Sequence, residues 1–144
     1  MTPNRKNQHG FSMVELMVGL IVFGILVGMS VPSFTSYSLT QQLRGTCENL
    51  VQTIQLQRSR AMATGQDVII NFNTAAPAAW TVMSQGRSTR TSLPNGLSYA
   101  SANPTSLTLS RTGQVSNSGL FVLQTRLGDS DTVSVQLSGL ALIR

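Results

Sequence analysis

The first 40 residues of this 144-residue chain hold one carboxylate, Glu15, placed four positions after Phe11 and five after Gly10. A carboxylate four residues on can offset a positive charge at the head of the segment that follows Gly10. The rest of the chemical inventory is thin. Cys47 is the one cysteine and His9 the one histidine, which excludes an internal disulfide and a closed zinc site of four N or S donors. His9 lies in the basic N-terminal flank, no glycine motif cradles phosphate, and Asp129 and Asp131 fit a turn better than an acid pair. The reading is therefore no enzyme, no metal and no cofactor. Arginine is the remaining chemistry-bearing type: beyond Val31 eight arginines face four acids, a net +4. Arg87 and Arg90, in the loop cluster Gly86-Arg87-Ser88-Thr89-Arg90, and Arg144 at the C-terminus are the candidate DNA contacts. So small an excess is also the mark of an ordinary solvated surface, and DNA is not the favoured partner.

The element that must position Glu15 is apolar. Phe11 to Val31 contains fifteen large apolar residues, three glycines, two serines and Glu15. At a rise of 1.5 Å per residue such a helix crosses a hydrocarbon core of roughly 30 Å. Arg5 and Lys6 precede it with no acid beside them, so the positive-inside rule keeps the N-terminus cytoplasmic and sends the remaining chain outward. A secretory signal cut near Gly28 or Ser30 is the alternative. Against it, Glu15 interrupts the apolar run, and a carboxylate near a membrane is retained at a cost of a few kcal/mol only where it is used.

From Ser33 to Thr64 apolar residues recur at steps near three and four, at Tyr37, Leu39, Leu43, Cys47, Leu50, Val51, Ile54 and Ala61. This predicts an amphipathic helix, with Cys47 a buried small hydrophobe, Gly65 the stop and Pro32 a bend at the junction. Gly24 and Gly28 form a small-xxx-small pair that admits a close neighbouring helix.

Beyond Gly65 the pattern becomes short β-type runs at 68–72, 80–83, 97–100, 106–109, 120–125 and 132–137, parted by Pro94-Asn95-Gly96, Arg111-Thr112-Gly113 and Asp129-Ser130-Asp131. Val133, Val135, Leu137, Leu140, Leu142 and Ile143 read as one half-buried edge, and Phe72 and Trp80 as core. The expected fold is α+β: a long N-terminal helix, transmembrane in its first half and amphipathic in its second, packed on an antiparallel sheet or small β-sandwich head. With 10% charged residues and 33 Ser and Thr, the surface is hydroxyl-rich in the manner of exported proteins.

A basic leader ending in Gly10, followed by Phe11-Ser12-Met13-Val14-Glu15-Leu16, resembles the processing motif of type IV prepilins and type II secretion prepseudopilins. Resemblance to that class implies cleavage after Gly10 by an inner-membrane prepilin peptidase and N-methylation of Phe11. It further implies filament assembly through Glu15, with Gly24 and Pro32 bracketing a segment that rearranges. The remaining chain is similar to minor pilins and pseudopilins of the GspH and FimT type at Gln57-Arg58-Ser59-Arg60-Ala61, Gly65-Gln66-Asp67-Val68, Trp80 and Ser138-Gly139. On this reading residues 1–10 are a leader, 11–32 a transmembrane and assembly helix, 33–65 an amphipathic helix and 66–144 a β-rich periplasmic head. The implied function is a minor structural subunit that helps initiate or cap a type IV pilus or type II secretion pseudopilus, held in the inner membrane until other pilins engage its N-terminal helix. The alternative is a DNA-binding minor pilin for natural transformation. DNA-capturing members of the FimT type carry paired arginines after the glycine of the terminal strand; here Leu140, Ala141 and Leu142 follow Gly139, and only Arg144 remains.

Overall fold

The computed structural model describes residues 11–144, with the side chains of 29–33 outside that description. Among the described residues there are one helix, α1 (Met13–Thr64), and eight strands: β1 (Val68–Asn73), β2 (Ala79–Ser84), β3 (Arg87–Ser92), β4 (Leu97–Asn103), β5 (Ser106–Leu109), β6 (Gly119–Thr125), β7 (Ser130–Val135) and β8 (Ala141–Ile143). The chain divides between Ser36 and Tyr37 into two compact units.

In the first unit the described backbone is helical from Met13 onward, and Leu16 donates its amide to the Ser12 carbonyl at 3.2 Å to open the first turn. Glu15 lies in that turn, where a carboxylate complements the partial positive charge of the unpaired amides.

In the second unit α1 runs to Thr64, and Gly65, at φ +66°, supplies the left-handed residue that ends it. Its buried positions are Leu39, Leu43, Thr46, Cys47, Leu50, Ile54, Gln57 and Ala61, a stripe of helical period. Tyr37, expected on this face, is instead exposed, because it lies at the end of the stripe before the sheets begin to cover the helix.

The strands form two four-stranded sheets with the orders β3-β2-β1-β5 and β4-β6-β7-β8, every neighbouring pair antiparallel. Alternation places Val68, Ile70 and Phe72 of β1 and Leu107 and Leu109 of β5 in one core with Phe121, Leu123, Val133 and Val135 of the other sheet and with the helix stripe. Phe72 joins the two sheets: it stacks on Phe121 at 4.1 Å between ring centroids and meets Tyr99 edge-on at 6.1 Å. Trp80 is buried beside them.

The β-rich reading of 66–144 holds, with three corrections. Residues 87–92 form strand β3 rather than a loop: Gln85 at φ +52° and Gly86 at φ +73° make the two-residue turn whose twist joins adjacent antiparallel strands. The run from Thr132 onward is two strands, since Gly139, at φ +78°, donates to the Gln136 carbonyl at 2.8 Å and reverses the chain before β8. The register pairs Ala141 with Val135 and Leu142 with Ser134, so Ala141 is buried while Leu142 faces outward, and Leu137, Leu140 and the strand-terminal Ile143 are also exposed. The Asp129-Ser130-Asp131 turn is also shorter than expected, because β7 already begins at Ser130.

Candidate functional site

The N-terminal segment presents apolar side chains all round. Phe11, Met13, Val14, Leu16, Met17, Val18, Leu20, Ile21, Val22, Phe23, Ile25, Leu26 and Val27 are 48–83% exposed. A helix apolar on every side has no stable place in water and must be covered by lipid or by other helices. A Cβ added at Gly19, Gly24 or Gly28 meets nothing within 4 Å, so packing inside this chain does not require glycine at those positions. Among the described residues no helix is long and apolar enough to cross a membrane. The span expected over 11–32 runs beyond the described side chains, which stop at Gly28; α1 is helical through Pro32, whose side chain lies outside the description, as Gly10 does altogether.

The head gathers residues that are distant in sequence. Half-buried Arg58, on α1, donates Nε–H to the Gly113 carbonyl at 2.9 Å. An added Cβ at Gly113 would stand 2.7 Å from Met62 Sδ, and one at Gly139 would stand 2.5 Å from the Gly113 carbonyl oxygen and 2.8 Å from Arg58 Nε. Helix and two turns therefore meet where only glycine fits. Thr40 adds a second tie, donating its hydroxyl to Asp129 Oδ2 at 3.0 Å. Asp129 thus holds the β6–β7 turn to the helix in addition to shaping it.

The candidate DNA arginines are dispersed. Arg87 and Arg90 lie on opposite faces of β3: Arg87 lines a cleft with Gln57, Arg60 and Thr64, whereas Arg90 donates Nη2–H to the Pro77 carbonyl at 3.1 Å. Arg144 follows β8 on the other sheet, where its amide donates to the Thr132 carbonyl at 2.8 Å and it borders an open depression with Asn103, Leu120 and Ser134.

Burial pushes the Cys47 thiol up to about 11, assisted by the negative charges of Asp131 and Glu48. The same cause raises the Tyr99 hydroxyl well above the ordinary phenol range, with Cys47 adding to it. Both groups are protonated core residues, as expected for Cys47.

Residues 5–31 match the family described as the prokaryotic N-terminal methylation motif. The head superposes on the minor pseudopilin EpsH of the Vibrio cholerae type 2 secretion system with a TM-score of 0.57 at 14% identity, covering 72% of this chain and 96% of EpsH. It superposes on the type IV minor pilin FimU of Pseudomonas aeruginosa with a TM-score of 0.60, again at 14% identity, covering 75% of this chain and 92% of FimU. The chain carries an N-terminal methylation motif and has the fold of these minor pilins. Over 51 residues it is also 33% identical to a ComG operon protein 3 homolog of Bacillus licheniformis; those residues are 35% of this chain, and it spans about half the length of that curated relative, 52%.

At 14% identity the likeness of the heads is one of fold. The motif match is confined to residues 5–31, the basic flank and the apolar segment that follows it. Within this chain the sequence motifs at 57–61 and 138–139 acquire a physical reason, since Arg58 and Gly139 touch the same carbonyl. Gly113 was legible only as a turn, and nothing in its local sequence marks the helix that lies against it.

Proposed function

We propose that the protein is a minor pilin or pseudopilin, stored in the inner membrane with its N-terminus cytoplasmic and its head periplasmic, that helps initiate or cap a filament. The observation that supports this reading most directly is the methylation motif at residues 5–31 leading into a helix whose apolar side chains are exposed on all sides. Cleavage after Gly10 leaves a cationic Phe11 amine. In the low-dielectric interior of a bundle of such helices, the exposed Glu15 of one subunit pairs with the amine of the next and fixes the axial register, because an unpaired charge there is severely penalised. Gly24 and Pro32 bracket the part of the helix that rearranges on assembly. The head neighbours divide between a type 2 secretion system and a type IV pilus, and both machines accommodate this architecture.

Mass spectrometry of the membrane-extracted protein is the direct test, with methylated Phe11 as the expected first residue. A mature terminus near Val31 would mean a secreted protein and would end the filament reading. Replacing Glu15 with Leu removes a charge from the apolar segment, so membrane abundance should hold while incorporation into sheared filaments falls; unchanged incorporation would reduce Glu15 to an interfacial bystander.

A further inference from the structure

The turn between β6 and β7 carries a large apolar side chain where small polar residues are the rule. In Arg126-Leu127-Gly128-Asp129, Leu127 is 57% exposed. Hydrogen bonds hold the turn from within: Thr125 Oγ1 accepts the amides of Leu127 and Asp129, each at 3.2 Å, and the Thr125 carbonyl accepts that of Gly128 at 3.1 Å. Two more tie it to its surroundings. Asp129 Oδ2 accepts the Thr40 hydroxyl of α1 at 3.0 Å, and the Arg126 amide donates to the Gly96 carbonyl at 3.0 Å. Leu127 is thus held out into water by a fixed turn, with Arg126 exposed beside it. Tyr37 precedes Thr40 by three residues, which puts both on one side of the helix, and it is 63% exposed.

These three residues share the end of the head at which the chain departs for the apolar segment. That segment ends at Val31, and the residues from there to Tyr37, whatever their conformation, reach no further than about 20 Å. With the apolar segment in a bilayer, this end of the head is confined beside the lipid surface, where a weak affinity is enough to hold it. A tyrosine ring and a leucine enter the headgroup layer, and a guanidinium on an aliphatic stem meets phosphate. Two apolar side chains bordered by charge and hydroxyls are too little for a protein interface, which needs about 1,000 Å² in all. Leu137 is equally exposed, but its turn packs against Arg58, about 30 Å further along α1 and out of the tether's reach.

We propose that Tyr37, Arg126 and Leu127 dock this end of the head on a phospholipid surface carrying anionic headgroups, an inference that rests on the reading of the protein as a subunit stored in the membrane. Docking holds the head against the bilayer before assembly and is given up when the subunit is drawn into a filament.

The test places the full chain, one copy per disc, in nanodiscs of dibrominated phosphatidylcholine mixed with phosphatidylglycerol, whose bromines quench a tryptophan lying at the base of the headgroups. Trp80 is buried in the core, so the unsubstituted protein supplies the background. Leu127→Trp should add emission that is strongly quenched. Ser88→Trp, at an exposed position beside the hairpin turn that meets the far end of α1, should add emission that is not. On the Leu127→Trp background, Arg126→Gln should lower the docked-to-free ratio about fivefold, the equivalent of about 1 kcal/mol for one cation at an anionic surface, and Tyr37→Ser should lower it as well. Equal quenching in the Leu127→Trp and Ser88→Trp proteins would overturn the proposal, as would quenching that neither second substitution changes. Leu127→Trp emission shielded only when several copies share a disc would also overturn it, giving the surface to a neighbouring head. The two readings fail separately. A chain cut near Val31 that does not stay in the bilayer refutes membrane storage; a chain retained in the disc with Leu127→Trp unquenched refutes docking alone.

Discussion

Gly139 offers the sharpest test of how the head is held together. Alanine there meets two separate penalties. At φ +78° an L-residue is held in the left-handed region, which costs roughly 1–2 kcal/mol. Its Cβ would also stand 2.5 Å from the Gly113 carbonyl oxygen and 2.8 Å from Arg58 Nε. Backbone cannot swing aside as a flexible side chain can, so the β7–β8 turn must move away from the helix. The contact most exposed to that movement is the 2.9 Å hydrogen bond from Arg58 to Gly113, of a charge-assisted kind worth about 1.5–3 kcal/mol. The two effects together predict about 3–5 kcal/mol of destabilisation, a large share of the stability of a small domain. Two other glycines isolate the components. Gly128 shares the strained conformation, at φ +99°, but has open space around it, so Gly128→Ala should show only the first, roughly 1–2 kcal/mol, penalty. Gly45 lies on the exposed side of α1 with nothing within 4 Å, and Gly45→Ala should stabilise by up to about 1 kcal/mol through helix propensity. Urea denaturation of a fragment beginning at Ser36, which retains the whole buried core, measures all three. Equal losses at Gly139 and Gly128 would refute the three-way contact of Arg58, Gly113 and Gly139.

Alkaline titration should destabilise the head through Cys47. A thiol raised from 9.0 to about 11 favours folding below its unfolded pKa, and that contribution is lost as pH rises through 9 to 11. Two units correspond to at most about 3 kcal/mol. Denaturant midpoints at stepped pH should therefore fall over this window, and less steeply in Cys47→Ala; identical limbs would show that the thiol is not the titrating group. The thiol should also label slowly in the native state and quickly in denaturant, whereas rapid native labelling would mean that the 43/47/50/54 face points outward. Tyr99→Phe removes a buried hydroxyl that has no partner, so thermal denaturation should show stability unchanged or raised; a loss beyond about 1 kcal/mol would reveal a hydrogen bond to that hydroxyl.

Helix α1 was legible because burial there follows one uninterrupted period, from Leu39 through Leu43, Cys47, Leu50 and Ile54 to Ala61. The sheets were legible where one face is buried, as in Val68-Ile69-Ile70-Asn71-Phe72, and illegible where neither is. Strand β3, Arg87–Ser92, buries none of its side chains, and as an edge strand carrying two arginines it has no apolar alternation to read. Its local signal was the Gln85-Gly86 turn, weaker than an Asn-Gly or Asp-Gly pair. The C-terminal run failed for the opposite reason. Its apolar residues are abundant but do not keep one parity: burial stays with Val133, Val135 and Ala141, so counting Leu140 and Leu142 into the same edge put them on the wrong face, and Ile143, opposite Val133, is exposed at the strand's end.

The two candidate sites divide along the same line. The N-terminal methylation motif is a contiguous run, and all of its information is local; Gly10, Phe11 and Glu15 can therefore be recognised with no fold in hand. The cleft is assembled by topology. Gln57 and Arg60 reach it from the helix and Arg87 from a strand that carries no apolar alternation, so its charge is not brought together until β3 folds back along β2. Arg87 and Arg90, three residues apart and alike in sequence, consequently separate in role: one faces an open cleft, and the other is bonded to the backbone of its own sheet.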